Sequence, residues 1–233
     1  MLNQSRIQSI HDRSQDFVIE SKFNNLINPS TLSLDTLKFL GTLVEDFQPL
    51  NILEFGSGLS TLFLCNLLKK QGDGHLFSIE NSAQYYKATQ KMTKYATNLS
   101  LFLCPITRYW FKGKQFSTYD KYFVDELPAV NFDMVLIDGP LSYKYGREAP
   151  LYQVLPFLNT ETLILLDDAL RKPEQEAISN WKHVWSKKMD VLEFSKLKKG
   201  FAMIMIGNPS HINRYPFSIS QVLRSNFCSG QTW

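Results

Sequence analysis

A chain of 233 residues, 44% hydrophobic and 20% charged, is long enough to bury the core of one substantial domain and too short for two comfortable ones. The formal net charge of +3 is mild, and lysines gather only in pairs such as Lys69-Lys70, Lys187-Lys188 and Lys198-Lys199. That pattern describes solvated surface and argues against a nucleic-acid partner. Cys65, Cys104 and Cys228 are odd in number, widely spaced and without a CxxC pair, which argues against a disulfide framework or zinc knuckle and suits a reducing cytoplasm. No apolar run approaches a bilayer span and the start is polar, so the expectation is a soluble cytoplasmic protein with no membrane partner.

Residues 1–30 mix polar residues with scattered Ile, Phe and Leu, with room for one or two helices before the break at Asn28-Pro29-Ser30. From Ser33, a reasonable N-cap, Leu34, Leu37, Leu40, Leu43, Val44 and Phe47 recur at helical spacing until Pro49. Residues 1–48 therefore read as a helical appendage, which either covers a substrate pocket or packs at an edge. Ile52 to Phe55 is a short strand, Gly56-Ser57-Gly58 a turn, and Ser60 to Leu68 a helix. His75 to Glu80 reads as a second strand, 82–97 as a helix and Leu99 to Leu103 as a third strand. The aromatic-rich stretch 106–127 has no clear period and is left open.

Asn131 to Ile137 is a fourth strand, ending at Asp138-Gly139-Pro140; 147–158 reads as a helix. Thr162 to Leu166 is a fifth strand running into Asp167-Asp168, and a helix follows from Pro173 to Lys187. Val191 to Ser195 and Phe201 to Ile206 form a closing hairpin, and 208–233 is a polar, turn-rich C-terminal tail. Alternation of this kind implies a doubly wound, mostly parallel α/β sheet, with ligands bound at the carboxyl ends of its strands.

Those ends carry the chemistry. The turn at Gly56 and Gly58 lets a ligand approach the backbone at a helix N-terminus. Thr61 stands where a dinucleotide fingerprint has its third glycine, and no P-loop lysine follows. Glu54, two residues before Gly56, would repel a pyrophosphate but suits a cationic ligand. Glu80 is placed to accept ribose hydroxyls. A ligand with a ribose and a cationic amino-acid end satisfies both acids.

ILEFGSGLST, LFSIEN and FDMVLIDGP, in that order, resemble successive motifs of class I S-adenosylmethionine-dependent methyltransferases over roughly residues 50–206. The resemblance implies a Rossmann-like seven-stranded sheet whose last strand is antiparallel, with 49–207 as the S-adenosylmethionine-binding domain. It places Glu54, Gly56, Ser57 and Gly58 along the methionine portion, Ser60 at the helix cap or carboxylate, Glu80 on the ribose and Asn81 beside the adenine. Within the superfamily the chain is similar to catechol-type, small-molecule O-methyltransferases. That similarity implies a divalent cation such as Mg²⁺ held by Asp138, Asp167 and Asp168, which would acidify an acceptor hydroxyl.

Two departures weigh on the metal. Asp168 replaces the usual amide, and Leu141 replaces the usual lysine, the nearest being Lys144. Asp138 or Asp168 then becomes a general base, or Asp167-Asp168 only caps a loop. Arg147 and Arg171 follow the same strand ends and either grip an anionic acceptor or pair with neighbouring glutamates. The absence of a [DN]PP[YF] motif lowers the odds of a nucleobase or amide acceptor. The function expected is methyl transfer to a small-molecule acceptor, most readily oxygen, by a chain with room to form a homodimer. The rivals are a nicotinamide-dependent oxidoreductase and a non-catalytic cofactor-binding protein.

Overall fold

The computed structural model describes residues 3–111, 114–140, 146–207 and 223–224. The N-terminal segment supplies α1 (Gln4–Arg13), α2 (Ser21–Asn24) and α3 (Leu34–Phe47). Then follow β1 (Asn51–Phe55), α4 (Leu59–Gln71), β2 (His75–Glu80), α5 (Ala83–Met92) and β3 (Leu99–Leu103). Next come β4 (Ile106–Phe111), β5 (Lys114–Tyr119), α6 (Tyr122–Glu126), β6 (Met134–Ile137) and α7 (Ala149–Gln153). The chain continues through β7 (Leu163–Asp167), α8 (Lys172–Trp185), β8 (Met189–Phe194), β9 (Phe201–Ile206) and β10 (Leu223–Arg224).

Seven strands form one sheet in the order β3-β2-β1-β6-β7-β9-β8. All neighbours are parallel except β9, which runs antiparallel to both β7 and β8. The order reverses between β1 and β6, and a crevice opens at such a switch point. The strands are apolar runs because helices cover both faces, as a buried parallel sheet requires. Leu53, Phe55, Val135 and Ile137 face one core with α7 and α8, whereas Ile52, Leu76, Met134 and Leu136 face the other with α3 and α4. Ile7 and Ile10 of α1 join that second core, so the N-terminal helices are packed into the same unit as the sheet.

The open stretch 106–127 is a β-hairpin followed by a short helix. Ile106 pairs with Tyr119 and Tyr109 with Phe116 across β4 and β5. Cross-strand aromatic and β-branched pairs stabilise such a hairpin without helical periodicity. Tyr109, Phe116, Tyr119 and Phe123 are buried in the first core, where Tyr119 and Phe123 pack on Phe55. These four rings therefore build the core.

The helix expected over 147–158 is limited to α7 and one tight turn at Leu155–Phe157. Pro150 suits the first turn, but Pro156 lacks the N–H that would continue the helix. The helix expected over 82–97 stops at Met92. Of the tail, residues 223–224 pair antiparallel with β4, and the rest lies outside the described residues, as do Leu141 and Lys144. Among the described residues no helix is long and apolar enough to cross a membrane.

Candidate functional site

β1 and β2 end side by side, and their loops are stitched by two carboxylates. Gly56 leaves β1 with φ +91° and donates its N–H to Ile79 O at 2.8 Å. Glu80, at the end of β2, accepts from the Ser57 N–H at 2.8 Å, the Ser57 hydroxyl at 3.2 Å and the Ser82 N–H at 2.7 Å. One carboxylate thereby fixes the turn after β1 and the turn after β2.

Glu54 lies beneath that turn. Alternation along β1 points its side chain toward α4 and away from the crevice, and it is wholly buried. Its Oε2 accepts from the Thr61 and Ser78 hydroxyls, each at 2.6 Å, and Thr61 Oγ1 accepts the Gly58 N–H at 2.9 Å. Burial pushes the Glu54 carboxyl up to about 7, opposed by the hydroxyls of Ser60, Ser78 and Thr61. Thr61, at the third-glycine position, is thus the link between Glu54 and the glycine turn.

A cleft of about 190 Å³ opens above this cradle. Gly56, Ser57, Glu80 and Asn81 line one side of it, and Asp138 and Gly139 the other. The two loops cross closely: a side chain on Gly56 would meet the Asp138 and Gly139 backbone at 3.1 Å. The peptide between Gly139 and Pro140 is cis. Ser30 and Tyr85 complete the rim. Ser30 belongs to the N-terminal segment, which Lys199 anchors by donating to Pro29 O at 2.9 Å and Thr31 O at 2.7 Å. The appendage therefore reaches the mouth of the cleft.

The other side is built from charge. Arg147 is 4% exposed and bridges three elements. Its Nη1 donates to Asp167 O at 2.9 Å, and its Nη2 lies 3.1 Å from Asp138 Oδ1 and 2.9 Å from Asp168 Oδ2. Its Nε lies 3.5 Å from Glu174 Oε1, in the first turn of α8. Arg171, half-exposed, adds a second cation to Asp168 at 3.0 Å. Asp168 sits in the left-handed region at φ +57°, a conformation aspartate tolerates better than most residues. Desolvation pushes Asp167 up to about 8, helped by the charges of Asp138 and Asp168. Asp138 is raised to about 6, chiefly by burial, and Arg147 opposes the rise.

Asp138, Asp167 and Asp168 do gather, one oxygen of each lying within 4.8 Å of the others. A catalytic hard cation also needs positions open toward the acceptor. Here Asp167 and Asp168 are closed from solvent, and the partly open Asp138 shares with Asp168 one nitrogen of Arg147. Asp167 Oδ1, Asp167 Oδ2 and Asp168 Oδ1 have no hydrogen-bond partner among the described residues, but a cation on them would lie beside the guanidinium that holds Asp138 and the other Asp168 oxygen. With Arg147 in place, this arrangement does not fit an open catalytic metal site.

Of the residues singled out in the sequence, Gly56, Ser57, Glu80, Asn81 and Asp138 meet in the cleft. Glu54 and Ser60 are buried beside each other below it, and Gly58 starts α4. Asp168 is held inside the arginine cluster and does not line the cleft. Arg147 cannot grip an acceptor, because its guanidinium is buried among four acidic residues. That hub, and the reach of Ser30 to the rim, had no periodic or motif signal. The sequence marks Tyr119 only as an aromatic, yet its buried hydroxyl lies against Gly139 and has no hydrogen-bond partner among the described residues.

No curated protein matches the chain in sequence. Among solved structures, an O-methyltransferase from Bacillus cereus in complex with SAH is 18% identical, with 88% of this chain and 92% of that chain covered and a TM-score of 0.57. TomG, an O-methyltransferase from Streptomyces achromogenes involved in tomaymycin synthesis and bound to SAM, is 15% identical, with 88% and 99% covered and a TM-score of 0.60. Identities this low establish a shared fold. The methyltransferase-domain family matches residues 53–169, half of the chain and the stretch that holds the end of β1, all of β2, Glu80 and Asp138. The chain belongs to that family and is a methyltransferase of the S-adenosylmethionine-dependent class I fold.

Proposed function

We propose that this enzyme methylates an oxygen of a small-molecule acceptor, with Asp138 as the general base. The observation that carries the reading is a single cleft bounded by Glu80 on one side and Asp138 on the other. Glu80 uses three of its roughly four acceptor positions on Ser57 and Ser82, and the Ser57 hydroxyl can rotate away toward Thr89 at 3.0 Å. The carboxylate can then receive a ribose hydroxyl. Gly56 and Ser57 would hold the amino-acid end, with Asn81 and Tyr85 beside the base. When bound, S-adenosylmethionine supplies the methyl group and leaves as S-adenosylhomocysteine.

Asp138 is the acid of the cluster that solvent reaches, with 18% of its side chain exposed. It takes the proton of the acceptor as the oxygen forms its bond to carbon, and Arg147 holds the carboxylate in place. The closely crossed Gly56 and Gly139 loops would bring cofactor and acceptor together in one cleft. The neighbours named above are O-methyltransferases, which favours oxygen as the nucleophile. Two buried, unpaired cysteines, Cys65 and Cys104, suit residence in the cytoplasm.

Calorimetry with S-adenosylmethionine, S-adenosylhomocysteine and NAD tests the reading. Binding of the two sulfur ligands in the micromolar range, with none of NAD, is the expected result. Tight NAD binding without response to either sulfur ligand would sink it.

A further inference from the structure

We infer that Arg147 stands in for a divalent cation: it is the fixed positive charge that organises Asp138 and Asp168 and leaves the site indifferent to metal. This deepens the proposed methyl transfer and rests on it for the role of Asp138. The geometry carries the idea. One guanidinium nitrogen lies 3.1 Å from Asp138 Oδ1 and 2.9 Å from Asp168 Oδ2, so a single positive group already joins the ends of β6 and β7. A second nitrogen, donating to Asp167 O at 2.9 Å, fixes the rotation of the planar fork. The third faces Glu174 and so includes α8. A hard cation would join the same strand ends, but would present open positions to the acceptor. Arg147 presents none, because it is buried and its polar edge faces acids and a carbonyl.

Charge leads to the same conclusion. Asp138, Asp168 and Glu174 face Arg147, and Arg171 adds a second positive charge from the rim. Three other oxygens, Asp167 Oδ1, Asp167 Oδ2 and Asp168 Oδ1, have no hydrogen-bond partner among the described residues, but they are closed from solvent beside the guanidinium, so a divalent cation there would add its charge to that of Arg147. Arg147 is therefore a positioning residue. It orients the Asp138 carboxylate toward the cleft and competes with metal for it.

The test uses Mn²⁺ alone as the probe, with electron paramagnetic resonance for binding and thermal unfolding as a second readout. The full-length wild type should show no Mn²⁺ binding at millimolar concentrations, and its Tm should be the same in chelator and in Mg²⁺. Arg147→Gln should bind Mn²⁺ at least tenfold more tightly than the wild type and gain Tm when Mn²⁺ is added. Arg147→Lys, which keeps the charge, should stay indifferent to metal. Calorimetry with S-adenosylhomocysteine on the same samples reports separately on the cofactor side. Loss of that binding in the wild type would overturn the methyl-transfer reading and leave the Arg147 result standing. Millimolar or tighter Mn²⁺ binding to the wild type that Asp138→Asn abolishes would overturn the inference, as would a folded Arg147→Gln that gains no affinity. If Arg147→Gln does not fold, the wild-type titration alone decides.

Discussion

The two sides of the cleft are built on different principles. The β1–β2 side is held by backbone N–H groups and hydroxyls converging on Glu80 and Glu54, with no basic side chain among their hydrogen-bond partners in the described residues. The β6–β7 side is held by full charges converging on Arg147. Hydrogen bonds from neutral donors to a carboxyl group contribute about 1–3 kcal/mol each and exchange readily with a ligand's own groups. Breaking one partner of a buried ion pair costs about 3–5 kcal/mol, so the second side resists rearrangement. On the proposed assignment of cofactor to the first side and acceptor to the second, the cofactor half adapts and the acceptor half stays rigid.

The sharpest way to break the contrast is a pair of substitutions, one on each side. Asp138→Asn should lower kcat by about 10²–10⁴, the range for a lost general base, and leave the Kd for S-adenosylhomocysteine nearly unchanged. Glu80→Gln should do the reverse, weakening that Kd by roughly tenfold to a hundredfold with a smaller effect on saturated turnover. Steady-state kinetics and calorimetry on both variants separate the outcomes. Equal loss of both quantities in each variant would mean that the sides are not distinct.

Glu54 sharpens the contrast from below the cradle. The folded chain keeps its proton up to about pH 7, whereas the unfolded chain releases it near 4.5. Between those values the unfolded state binds fewer protons, so this group makes stability fall as pH rises, by roughly 3 kcal/mol in all. The loss is complete above pH 7 and absent below 4.5. Glu54→Gln cannot ionise and keeps an acceptor for the Thr61 and Ser78 hydroxyls. Urea unfolding at pH 5 and pH 8, without ligand, should show the variant gaining on the wild type as pH rises. A constant difference between the two would show that Glu54 is ionised in the fold throughout.

The same division explains what could be read from the sequence. β2 and β3 begin and end where expected, because each is an apolar run between breakers and its pairing is repeated along the sheet. Gly56, Ser57 and Glu80 were legible because their chemistry is local to a strand end. Glu54 was legible as an acid of the motif, but its direction follows from strand parity against α4, which places it under the turn. Arg147 was visible as a residue near Asp138, yet its partners come from three elements, and only the packed sheet brings Asp138, Asp168 and Glu174 to it. The hairpin after β3 escaped because its pairs are set across strands. Along the chain they leave no helical period and only a blurred alternation.

The smallest expected effect concerns the two glycines of the turn, which look equivalent in sequence. Gly56 has φ +91°, and a Cβ there would press on the Asp138 and Gly139 backbone at 3.1 Å. Backbone cannot step aside as a flexible side chain does, so Gly56→Ala should cost about 1–3 kcal/mol of stability. Gly58 lies outside the left-handed region, and a Cβ there would meet nothing within 4 Å. Gly58→Ala should change stability by no more than about 0.5 kcal/mol, as at an open surface position. Denaturant midpoints for the two variants test this directly. Gly56 is then the residue that lets the adaptable and rigid sides touch. If Gly58→Ala proves as costly as Gly56→Ala, the crossing of the two loops is not what sets the glycine requirement, and the contact between the sides must be carried elsewhere.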